Sequence, residues 1–175
     1  MRVTVKVDSE GYCVVGGSDQ YDLRTRPQDI EQIEPARRYP ALRNFLAYVN
    51  SGESLFITFG CKVWSEVDVE EGATEAWVFG SRVDIIFLHQ ADNFVQAPLE
   101  DVSRWIAELL ERESGALWAD LRVTPAKFSP EQEGYCLRLS LCARGATSGQ
   151  AEIRWGLGMT HAQQAVLFVA RALRQ

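Results

Sequence analysis

The sequence predicts an α+β domain: about six to seven strands, mainly antiparallel and joined as hairpins or a meander, with three amphipathic helices on one face. Two observations carry this. Apolar and polar residues alternate in runs that come in groups around turn residues, the period of half-buried strands. Between the groups lie stretches with apolar residues at helical spacing, so helices connect hairpin groups, the pattern of segregated α+β folds. A composition of 46% hydrophobic and 24% charged residues over 175 positions suits one globular domain spanning 1–175.

Val3, Val5 and Val7 alternate with Thr4 and Lys6, Asp8 to Gly11 reads as a turn, and Tyr12 to Val15 as a returning strand. An N-terminal hairpin is the expectation. Residues 20–38, with Pro27 and Pro35, read as loop with one helical turn near Pro27. Pro40 suits a first helical turn, and Leu42, Phe45, Leu46 and Val49 follow on one stripe before Gly52. Alternation then runs from Leu55 to Val69, turns at Glu71–Thr74, and returns through Glu75 to His89. Keeping the apolar faces in phase across that hairpin requires one extra residue, which the sequence suggests at Gly80-Ser81. Pro98 opens a second helix with Leu99, Val102, Trp105, Ile106, Leu109 and Leu110 on one side. Three more strands are expected at 117–123, 135–142 and 151–157, then a helix started by the capping box Thr160…Gln163.

The net charge of -6 is unevenly placed, with 13 acids against 4 bases in residues 51–115. A net-acidic chain is a poor nucleic-acid binder, because that affinity comes from cations that neutralise phosphates. An acidic segment favours a basic protein partner. The basic residues are mostly arginine, as in proteins from GC-rich bacterial genomes. The chain starts with strand alternation and has no long apolar run, so a cytoplasmic protein without a membrane span is expected. Cys13, Cys61, Cys136 and Cys142 lie in strand-like runs without a C-x-x-C pair and read as small core residues.

Catalytic signatures are missing. Gly145-Ala-Thr-Ser-Gly149 lacks the Lys-Ser/Thr of a phosphate loop, and only His89 and His161 are available for histidine chemistry. No cofactor or metal is expected, and no catalytic residue is assigned. What stands out is Trp64, Glu66, Asp68 and Glu70 on one side of a strand, with Trp77 and Phe79 predicted opposite them on the same outer face. Aromatics supply interface anchors and carboxylates supply steering, so these six residues form the expected partner-binding patch.

The function expected is therefore non-catalytic binding of a basic protein. In size and charge the chain is similar to toxin-neutralising immunity proteins and secretion chaperones. The helix and strand order from Pro40 onward resembles the latter, and the N-terminal hairpin departs from it. Two alternatives are a structural homo-oligomer subunit and an enzyme that uses Glu66, Asp68 or Asp84 in acid–base chemistry.

Overall fold

The computed structural model describes residues 1–8, 13–16, 20–67, 74–112 and 117–174. The expected α+β class holds. A six-stranded, mostly antiparallel sheet in the order β1-β5-β6-β4-β3, with β2 also on β5, carries helices on one side. Its strands are β1 (Arg2–Val7), β2 (Cys13–Val14), β3 (Phe56–Val67), β4 (Trp77–Phe87), β5 (Leu117–Ser129) and β6 (Gln132–Gly145). Its helices are α1 (Glu34–Arg38), α2 (Pro40–Val49), α3 (Gln96–Glu111) and α4 (Ser148–Ala172).

Helix α2 buries the residues the periodicity marks, Leu42, Phe45, Leu46 and Val49, and α3 buries Leu99, Val102, Ile106 and Leu110, while Leu109 is partly buried and Trp105 is exposed. The two helices pack with α4 over the side of the sheet bearing Phe79, Val83, Ile85, Leu121, Leu139 and Leu141. Every buried apolar side chain of the four helices belongs to this one cluster. We call that side of the sheet the inner face and the other the outer face.

Three expectations are corrected. β1 and β2 do not form a hairpin; both run parallel to β5, Val5 beside Leu121 and Cys13 beside Ala126. Alternation defines a strand but not its partner, and here the partner lies more than a hundred residues away. Of the turn predicted at Asp8–Gly11, residues 9–11 are outside the described residues.

The expected strand at 151–157 is instead the start of α4, roughly 37 Å long at 1.5 Å per residue. Thr147 caps it, its side chain accepting from the Gln150 backbone at 3.2 Å, while the Gln150 side chain accepts from the Ala146 backbone at 2.7 Å. The working N-terminal cap is thus Thr147 with Gln150 bonding one residue further back, and Thr160 lies mid-helix, bonded back to the Gly156 carbonyl at 3.2 Å. Within this helix Gly158 serves close packing. A Cβ there would stand 2.9 Å from Leu141 and 3.1 Å from Leu117.

The extra residue in the β3–β4 hairpin falls at Phe59 on β3, between Thr58 and Gly60, not at Gly80-Ser81. Asn50 makes this position possible. Its buried amide accepts from the Thr58 backbone at 3.0 Å and donates to the Thr58 hydroxyl at 2.7 Å, satisfying groups the ladder leaves out.

Candidate functional site

Moving the bulge re-sorts the expected patch. Trp64 pairs with Gly80 and Glu66 with Val78, both on the outer face, whereas Val67 pairs with Trp77 and Ser65 with Phe79 on the inner face. Phe79 is 3% exposed and rests on the Trp155 ring, centroids 4.9 Å apart, and half-buried Trp77 packs on the same core. These two aromatics are therefore core residues and not outer-face anchors. Trp64 is half-buried and Glu66 exposed. Asp68 and Glu70 lie outside the described residues. Asp84 is buried and salt-bridged to Arg138, and exposed His89 stands 3.7 Å from Asp92. His161 sits mid-way along α4, not in a first turn.

The outer face is the surface that remains. Alternation from the inner core places Arg2, Lys6, Lys62, Arg82, Arg122, Arg138 and Arg144 on it, against Asp8, Asp84, Asp120 and Glu66. Among the described residues that is seven cations against four carboxylates, and 11 cations against 14 carboxylates elsewhere. Three of the face's four acids are spent internally. Asp120 accepts from Thr4 at 2.8 Å and pairs with Arg122, which also reaches Asp8 at 3.6 Å. Asp84 accepts from Arg138 at 2.7 Å.

Two indoles bracket one cross-strand row, Trp118–Cys142–Gly80–Trp64. The Trp64 ring lies against Gly80, where a Cβ would meet its atoms at 2.6 Å. The Arg144 guanidinium stands 5.8 Å from the centroid of Trp118, within cation–π range. Beside this row a groove of about 600 Å³ is lined by Arg2, Thr4, Lys6, Trp118, Asp120 and Arg144. Among the described residues no helix is long and apolar enough to cross a membrane.

At the opposite end of the outer face a small cluster is sealed by the chain after β2: Cys13, Ile86, Ala126 and Cys136, with Val15, Ile57, Phe59 and Phe128 against them. The Cys13 and Cys136 sulfurs and a carboxylate oxygen of Asp84 all lie within 4.8 Å of one another. Arg138 bridges two of these groups, its Nε 2.7 Å from Asp84 Oδ1 and its Nη2 2.8 Å from Cys13 Sγ. The hydrogen bond from Cys136 outweighs burial and the Asp84 charge and holds the Cys13 thiol below its ordinary range, with help from Arg138 and Arg82. The same bond and burial push the Cys136 thiol up. Elsewhere burial raises Cys61 to about 11, and burial with Glu66 and Asp120 nearby raises Cys142 to about 12.

Neither the basic face nor the cysteine cluster is legible in the chain. Both assemble residues from strands far apart in sequence, and the one usable signal was that all four cysteines fall in strand-like runs. Comparison with known proteins finds no matching family model, no similar curated protein and no similar solved structure.

Proposed function

We propose that this chain is a non-catalytic binding domain whose outer sheet face holds an acidic protein surface. The observation that carries this reading is the excess of cations over carboxylates among the described residues of one face, with two indoles on it, in a chain of net charge -6. An uncovered sheet with Trp64 on edge strand β3 and Trp118 one strand in from β1 offers large, rigid contact area at low conformational cost. Arg2, Lys6, Lys62 and Arg144 supply charge at its edges, where it steers association. A long polyanion such as nucleic acid fits less well. It would run past the face into the acidic remainder, while Arg122 and Arg138 are already committed to Asp120 and Asp84.

A basic protein, the partner expected from the sequence, is the second reading. It would meet the acidic remainder, including Glu100, Glu108 and Glu111 along α3.

Affinity purification from the native host, at low and at high salt, separates these readings. Under the first, a salt-sensitive acidic protein is recovered and is lost with Lys6→Glu/Lys62→Glu/Arg144→Glu but kept with Glu100→Lys/Glu108→Lys. The reverse pattern establishes the second reading. Recovery of nucleic acid instead of protein, or of the chain alone, overturns both.

A further inference from the structure

We propose that Cys13, Asp84 and Cys136 hold a zinc ion at the sealed end of the outer face, a site independent of the binding surface above. Three donors from three strands converge there, each buried: Cys13 is 6% exposed, Asp84 4% and Cys136 0%. Their ligand atoms lie within 4.8 Å of one another. Donors on a tetrahedral zinc with thiolate and carboxylate ligands stand about 3.5–3.8 Å apart, so small rotations of the side chains close the shell. Two sulfurs and one oxygen are a soft-to-borderline set that suits Zn(II) over the hard cations, and water completes a fourth position.

Charge and outer contacts fit this occupant. Two thiolates, one carboxylate and a dication leave one negative charge, beside which stand two guanidiniums, Arg138 and the more exposed Arg82 3.5 Å from Asp84 Oδ2. Arg138 donates to Asp84 Oδ1 and Cys13 Sγ from the flank, at 2.7 Å and 2.8 Å. Hydrogen bonds of this kind to ligating carboxylates and sulfurs orient a metal shell and are worth roughly 10–100-fold in affinity.

A disulfide is the obvious rival, and the strand order disfavours it. Cys13 pairs with Ala126 on β5, and Cys136 pairs with Thr124 on the far side of that same strand. Backbones two strands apart are about 9–10 Å apart, beyond the roughly 7 Å limit on Cα separation in a disulfide. A metal ion spans such a pair because it sits between the sulfurs.

The test uses the full chain, purified reduced and titrated with Zn(II) and with Co(II). The expected results are about one zinc per chain by elemental mass spectrometry and a near-ultraviolet thiolate-to-cobalt band. That band should halve in Cys136→Ser and vanish in Cys13→Ser/Cys136→Ser. Arg138→Gln should weaken zinc by about 10–100-fold while the band persists. If a cysteine variant fails to fold, the wild-type cobalt spectrum alone decides. The proposal is overturned by a folded wild-type protein without stoichiometric zinc or a thiolate band, or by zinc bound equally well without the two cysteines. An intact mass two hydrogens lower, with Cys13 linked to Cys136, would also overturn it in favour of the disulfide.

Discussion

Replacing Gly80 with alanine tests the row that organises the outer face. A Cβ at this position would stand 2.6 Å from Trp64 Cε2 and Cζ2 and 2.8 Å from Cys142 Sγ. Carbon atoms rest at about 3.5–4.0 Å, so the rigid indole must lift by roughly 1 Å, whereas the cysteine sulfur can rotate away. Overpacking of this size costs about 1–3 kcal/mol. In a chain of this length a 2 kcal/mol loss lowers Tm by about 4–8 °C. The stronger test is the sign in a second background. With Trp64→Ala the obstruction is gone, and alanine should then outperform glycine by about 0.5–1 kcal/mol, because glycine is entropically costly inside a strand. Urea unfolding of the four proteins in the cycle, followed by far-ultraviolet circular dichroism, reads both values. If Gly80→Ala is neutral in the wild type, or costs the same with and without Trp64, the pairing of β3 with β4 described here is wrong. In the register with a bulge at Gly80-Ser81, the penalty would be independent of Trp64.

Two other outcomes follow from local geometry. Thr147→Ala should destabilise the protein by about 1 kcal/mol, while Thr160→Ala costs no capping energy. Chemical unfolding of the two variants checks it, and a larger loss at Thr160 would refute the helix start at Ser148. The thiols set an alkaline limit. Cys61 and Cys142 are raised from 9.0 to about 11 and about 12, so the folded protein keeps protons that the unfolded chain gives up. Their stabilising contribution is complete below pH 9 and is lost as pH climbs through the folded values. Tm measured from pH 8 to 11 should fall, and should fall less in Cys61→Ala/Cys142→Ala than in the wild type.

Two of the helices were legible because each is specified locally. Pro40 with Leu42, Phe45, Leu46 and Val49, and Pro98 with Leu99, Val102, Ile106 and Leu110, carry both their start and their buried stripe within a few turns. α4 was misread for a local reason as well. Ile153 and Leu157 are exposed apolar residues on its wet side, so Ala151, Ile153, Trp155 and Leu157 alternate with Glu152, Arg154 and Gly156 and imitate the period of a strand. Its true cap, Thr147 with Gln150, has the same spacing as the pair chosen further along.

The amino-acid sequence by itself determined the α+β class, most strand positions and the residues that line the helix-side core, because period and turn chemistry act over a few residues. Beyond the β3–β4 hairpin, only the tertiary structure decided which strand lies beside which, and it alone fixed the register within that hairpin. The bulge at Phe59 depends on the Asn50 amide in another element, and a shift of one residue turns Trp77 and Phe79 from surface to core. The same long-range pairing gathers seven cations on one face of a chain with net charge -6 and brings Cys13 to Asp84 and Cys136. Charge totals and spacings along the chain contain neither result, since both arise from strand order, a choice made by packing among segments distant in sequence.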